Sequence, residues 1–151
     1  MQEDQQGLQE TANDEGFRAL PYKDINGNWT VAYGHLILPG EDFSAGVTEA
    51  QGLALLNKDM SKAESIVNAE LAPMIAAGHV TQGEYDALCD AVYNMGDFLK
   101  GSTLLRLLVA GDTAGAEQQL TRWDFVGSKP NAAIEARRVR EMALWSKGNQ
   151  A

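Results

Sequence analysis

The sequence predicts an α+β fold: a small N-terminal lobe with a short antiparallel sheet, a long connecting helix and a helical C-terminal lobe. Three observations carry this. Residues 16–38 mix strand formers with turn formers, and apolar residues from Thr48 onward recur at helical spacing. No repeat, low-complexity run or Pro/Ser linker divides the 151 residues. One domain spanning 1–151 follows, with lobes at about 14–47 and 70–151, an N-terminal helix at about 3–13 and a joining helix at about 48–70.

The elements are justified in order. Residues 7–14 suggest a short first helix, with Leu8 and Ala12 on one face. Tyr22, Trp29, Thr30, Val31 and Tyr33 favour strands, and Asp24-Ile25-Asn26-Gly27-Asn28 is turn-forming, so a hairpin or three-stranded sheet is expected. Thr48 with Gln51 is a capping-box pair that opens the long helix. Its stripe is Leu56, Met60, Ala63 and Val67, and Pro73 predicts an end near Leu71. Thr81 with Glu84 opens a second helix bearing Tyr85, Leu88, Cys89 and Val92, and Gly96 closes it. Shorter helices are expected at about 102–109 and 113–122, and a last one at about 132–146 with Ile134, Arg138, Met142 and Trp145.

Composition bounds the function. Hydrophobic residues make 44% and charged residues 22%, an ordinary globular balance. The net charge of −9 disfavours a nucleic-acid binder. The single Cys89 permits no internal disulfide and suits a reducing cytosol. The polar, acidic start lacks a basic region followed by an apolar one, and no apolar run approaches a membrane span. No secretory signal and no stable membrane association are therefore expected. Residues 1–75 carry 12 acidic and 4 basic side chains, whereas Arg122, Lys129, Arg137, Arg138, Arg140 and Lys147 cluster late. Those cations read either as a solvated helix face or as partners of the acidic half.

No metal or cofactor is expected. A calcium loop starting at Asp24 would need glycine at position six and glutamate at position twelve, where Trp29 and His35 stand. Two histidines, His35 and His79, without a His-Glu-x-x-His motif argue against zinc.

The informative stretch runs from Asp14 to His35. It is expected to place the Glu15 carboxylate at a helix end, the Asp24 carboxylate in a hairpin turn and the Thr30 hydroxyl on the next strand. Glycoside hydrolysis uses two carboxyl groups, one protonating the leaving oxygen and one activating water or attacking directly. Two acids nine positions apart do not by themselves establish it.

The string itself, Glu15-Gly16, Tyr22-Lys23-Asp24, Gly27-Asn28-Trp29-Thr30 and Ala32-Tyr33-Gly34-His35, resembles the phage lysozyme family, glycoside hydrolase family 24. The likeness extends through Leu56-Asn57-Lys58-Asp59, Tyr93-Asn94-Met95-Gly96, Ser102-Thr103-Leu104-Leu105, Arg122-Trp123 and Arg137-Arg138-Val139-Arg140-Glu141. Ala32 departs from the family's usual glycine, and only a local backbone adjustment is expected there.

The resemblance implies a lysozyme-like fold and a muramidase. Its substrate is peptidoglycan, cut at the β-1,4 bond between N-acetylmuramic acid and N-acetylglucosamine, with inversion. It implies Glu15 as general acid, Asp24 as the group positioning the attacking water, and Thr30 as the hydroxyl sharing that water. His35 and Asp59 are implied as a structural pair joining sheet to helix, with catalysis by His35 the less favoured alternative. Arg137 and Arg140, three apart on one helix face, are implied to reach Glu15 and Asp14, with Arg138 as a substitute for Arg137. Asn26, Trp29, Leu36 and Asn94 are candidate sugar contacts. Trp123 and Trp145 read more readily as core. The implied setting is phage endolysis by a monomer made in the host cytoplasm, released through a membrane lesion and acting on the periplasmic wall. A lytic transglycosylase and a non-catalytic peptidoglycan-binding module are the rivals, and an intact Glu15, Asp24 and Thr30 set argues against both.

Overall fold

The computed structural model describes residues 1–123, 125–126 and 129–148. The expected α+β architecture is present. Helix α1 (Gln5–Glu15) is followed by strands β1 (Arg18–Lys23), β2 (Trp29–Ala32) and β3 (His35–Leu36). Helices α2 (Glu49–Ala76), α3 (Gln82–Met95), α4 (Thr103–Val109), α5 (Thr113–Gln118) and α6 (Ala132–Gly148) come after them. A 3-10 segment at Gln119–Trp123 extends α5, and a short ribbon, β4 (Phe125–Val126) with β5 (Lys129–Pro130), was not anticipated from the sequence. The chain divides into two compact units, Leu8–Lys62 and Met1–Gly7 with Ala63–Ala151.

In the first unit the three strands form an antiparallel sheet in the order β1-β2-β3. Its core holds Val31, Ala32, Tyr33, Leu56 and Met60, all buried. Phe17 packs against Tyr33 at 5.2 Å between ring centres. Ala32 adopts φ +58°, the left-handed conformation that a glycine takes without strain. Keeping alanine there costs about 1 kcal/mol. Gly52 makes room for it: a Cβ at 52 would lie 3.2 Å from the Ala32 methyl and 3.0 Å from the Phe17 ring. The departure at 32 is thus accommodated by a residue that lets α2 approach the sheet.

In the second unit α3 and α6 pack together around Leu71, Tyr85, Leu88, Leu104, Leu108, Leu120 and Trp145. The caps of α3 follow the sequence signals. The Thr81 hydroxyl accepts from the Glu84 N–H, the Glu84 carboxylate accepts from the Thr81 N–H, and Gly96 ends the helix. Helix α2 runs through Pro73 rather than stopping before it. The actual stop is Gly78, at φ +72°, where the His79 N–H reaches the Met74 carbonyl and the Gly78 N–H reaches that of Ile75. A left-handed glycine with this paired bonding satisfies the last carbonyls, whereas Pro73 only removes one donor near the end.

Candidate active site

Helix α1 ends where Gly16 turns left-handed, at φ +72°, with its N–H still bonded to the Ala12 carbonyl at 3.0 Å. Glu15 is thereby the last helical residue, half-buried at the end of the helix. The turn from Asp24 to Thr30 then builds the rest of the arrangement around the backbone of Asn28. The Asn28 N–H donates to Asp24 Oδ1 at 2.8 Å. The Asn28 carbonyl accepts the Asp24 N–H at 2.9 Å and the Thr30 hydroxyl at 3.1 Å. Asp24 Oδ1 also accepts from the Asn26 N–H, and Gly27, at φ +79°, closes the turn. Carboxylate and hydroxyl are therefore both bonded to the backbone of one residue, Asn28, and Thr30 is buried.

Strand register orders the neighbours. Tyr22, Thr30 and Leu36 lie directly opposite one another across the three strands, so they share a face. Trp29 lies one residue on, pairs with Lys23 and belongs to the other face. It is 54% exposed, and the Lys23 amine sits over its ring at 5.3 Å. Asn26 is exposed at the turn. Sequence reasoning gave Tyr22 and Arg18 no role, yet the Arg18 guanidinium lies over the Tyr22 ring at 4.4 Å.

His35, the first residue of β3, is buried. Its Nδ1 is 2.6 Å from Asp59 Oδ2 on α2, and its Nε2 is 3.0 Å from Glu41 Oε1. Glu41 was missed in the sequence, because nothing in a loop acid six residues away marks it as a partner. The Leu38 N–H donates to the same Glu41 oxygen at 2.7 Å and, with His35, holds that carboxyl below its usual range. Burial works against the charged imidazole, but the bonds to Asp59 and Glu41 outweigh it, so the His35 pKa is raised above 6.5. A raised base stabilises the fold fully below its unfolded value and loses that contribution as pH climbs through the higher folded one. The Glu41 part runs the other way, present above the ordinary value of 4.5 and lost as pH falls through the lowered one. The melting-temperature gap between wild type and Glu41→Gln is therefore expected to be widest where Glu41 is ionised and His35 protonated, and to shrink as pH rises through the raised His35 value, measured by calorimetry across pH. A gap that does not change with pH would mean that the contact does not depend on the imidazole charge.

The other candidates lie in the second unit. Arg137 on α6 makes a two-pronged pair with Asp90 on α3, Nε to Oδ2 at 3.0 Å and Nη2 to Oδ1 at 2.8 Å, both side chains buried. Arg138, also buried, pairs with Glu141 at 3.1 Å and donates to Asn94 Oδ1. Arg140 is exposed on α6. Trp145 is wholly buried in the core, and the Trp123 side chain lies outside the described residues. Among the described residues no group of three or more His, Cys, Asp or Glu is placed to hold a metal, and no helix is long and apolar enough to cross a membrane.

Comparison with known proteins adds to this geometry. The family model described as phage lysozyme matches residues 12–141. The SAR-endolysin of Bacteriophage PS119 is 40% identical over 139 residues, covering 88% of this chain and 78% of that protein. Among solved structures, the endolysin from Escherichia coli O157:H7 phage FAHEc1 superposes with a TM-score of 0.82 at 27% identity, over 96% of this chain and 93% of that one. The muramidase domain of SpmX from Asticaccaulis excentricus gives 0.80 at 27% identity, over 95% and 97%.

Proposed function

The chain belongs to the phage lysozyme family, and from that premise we propose that Glu15, Asp24 and Thr30 are its catalytic set, acting with inversion. Membership makes it a glycoside hydrolase, a muramidase acting on peptidoglycan in host lysis. In our reading Glu15 protonates the leaving glycosidic oxygen, while Asp24 and Thr30 together hold the attacking water. The observation that supports this most is the Asn28 backbone, whose N–H binds the Asp24 carboxylate and whose carbonyl binds the Thr30 hydroxyl. With Oδ1 occupied by two backbone donors, Oδ2 is the oxygen left to accept a proton from water.

Asn26 and Leu36 are proposed as sugar contacts from their places in the turn and in the Thr30 row, and Trp29 and Asn94 on the resemblance alone. His35 and Asp59 are proposed as a brace between sheet and helix. The roles of Arg137 and Arg140 toward the N-terminal acids are carried by the resemblance alone. We further propose a monomer without stable membrane association, made in the host cytoplasm and reaching the periplasmic wall through a membrane lesion.

Inversion at a β-1,4 bond yields the α-anomer first. Digesting soluble glycan strands and following the new reducing end by proton NMR is expected to show α-anomer before mutarotation. β-anomer first would indicate retention, and a non-reducing anhydro end would indicate a transglycosylase.

A further inference from the structure

Glu15 is the last residue of a helix, and the residue after it brings no packing of its own. Gly16, which turns the chain out of α1, is exposed at φ +72°, and a Cβ built on it would meet nothing within 4 Å. Phe17 is the next side chain. Strand β1 starts one residue later, with Arg18 paired to Ala32 before the strand bulges on its way to the Tyr22–Thr30 pair. One step beyond the Arg18–Ala32 pair, Phe17 stands across from Tyr33, with 5.2 Å between ring centres and 47° between ring planes. Tyr33 is 8% exposed, so Phe17 rests on a ring that the core already fixes.

Helix α2 closes this seat. Gly52 is buried near the start of α2, although glycine is a poor choice inside a helix. Its missing Cβ would lie 3.0 Å from Phe17 Cε2 and 3.2 Å from both Tyr33 Cε2 and the Ala32 methyl. At such distances the neighbours must give by a few tenths of an ångström. Ala32 and Tyr33 are buried, whereas Phe17 is half-buried and is the neighbour with room to move. On the other side of Glu15, Thr11 and Ala12 are buried in α1, and the Ala12 carbonyl holds the Gly16 N–H at 3.0 Å. The Glu15 backbone is therefore held between two anchors, Ala12 before it and Phe17 after it.

Resting on the assignment of Glu15 above, we propose that Phe17, seated on Tyr33 and Gly52, is the positioning residue of the general acid. A proton donor works only where its oxygen meets the leaving group, and a misplacement of about 1 Å can cost about 10²-fold in rate. The seat acts through the backbone, because a single left-handed glycine separates Phe17 from Glu15. Phe17 touches neither substrate nor reacting atoms in this account. Gly52 belongs to the same device: the bare backbone of α2 is what lets the helix close on the ring.

The test measures kcat and KM on soluble glycan strands, with melting temperatures. The proteins are wild type, Phe17→Leu, Gly52→Ala, those two combined, Glu15→Gln, and Glu15→Gln with Phe17→Leu. Leucine fills the seat loosely, and the half-buried position is expected to tolerate it. Its kcat should fall roughly tenfold with KM little changed. Alanine is favoured over glycine in a helix, so Gly52→Ala is expected to melt close to wild type while displacing Phe17. Its kcat should fall by a similar factor. Leucine is smaller than the ring that an alanine at 52 would press on, so the combined variant should lose less than the product of the single losses. In the Glu15→Gln background no proton is left to place, and Phe17→Leu should remove nothing further. Should Gly52→Ala fail to fold, Phe17→Leu with and without Glu15→Gln decides alone. A folded Phe17→Leu with wild-type kcat would overturn the proposal. So would an equal fall in the Glu15→Gln background, or a loss that merely follows a lower melting temperature. Glu15→Gln by itself separates the two failures. If it is inactive while Phe17→Leu behaves as wild type, only the positioning role is wrong; if it is fully active, the assignment of the acid fails and the positioning role falls with it.

Discussion

Glu15→Gln is expected to abolish lysis while leaving the fold intact. Glutamine keeps the shape at the last turn of α1 and removes only the transferable proton. Proton donation to a leaving group contributes roughly 10²–10⁴-fold in rate, so the residual activity should be at or below about 1%. The position itself is tolerant: Glu15 is half-buried, and the helix stop depends on the left-handed Gly16 and its bond to Ala12 rather than on the carboxyl. Turbidity loss of outer-membrane-stripped cells measures the activity, and calorimetry measures the fold. A Glu15→Gln protein that clears cells as wild type does would sink the assignment. One that has merely unfolded would be visible as a lost melting transition.

Much of the arrangement was legible in the sequence because it is local. The turn that holds Asp24 uses Asn and Gly residues whose chemistry is written into five consecutive positions, and its hydrogen bonds span at most four residues. The capping box of α3 and the glycine that ends it are equally local. Helix α2 shows where such reading stops. Pro73 is a strong breaker in isolation, but near a helix end it removes only one bond, and Gly78 with its paired carbonyl contacts decides the boundary. Partners distant in the chain were harder to read. Nothing around Glu41 or Asp90 distinguishes them from other acids, because what selects them is the buried cation that the fold brings alongside. Register was also hidden. The bulge in β1 decides which face carries Tyr22, and a one-residue change of register would exchange its face with that of Lys23.

Arg137→Ala is expected to destabilise the protein more than a typical substitution, by roughly 3–5 kcal/mol. The reason lies in what it leaves behind. Asp90 is 1% exposed and Glu141 is wholly buried beside it, with Arg137 and Arg138 as the cations between them. Burial raises the Glu141 carboxyl far above its usual range, and the hydrogen bond and charge of Asp90 raise it further, against the opposing pull of Arg138 and Arg137. Both oxygens of the buried Asp90 are bonded by the Arg137 fork. Truncating that fork strands a buried carboxylate in the contact between α3 and α6. For a chain of this size the loss corresponds to a fall in melting temperature of roughly 10 °C or more. The alternative explanation is lost packing of the long arginine stem. A double-mutant cycle with Arg137→Met and Asp90→Leu separates the two, since Arg137→Met keeps most of the stem. If the stranded charge is the cause, Arg137→Met should be nearly as harmful as Arg137→Ala, and adding Asp90→Leu should recover much of the loss. If Arg137→Met is close to wild type, the guanidinium contributes little, and α3 and α6 are held by Tyr85, Leu88 and Trp145 without help from the ion pair.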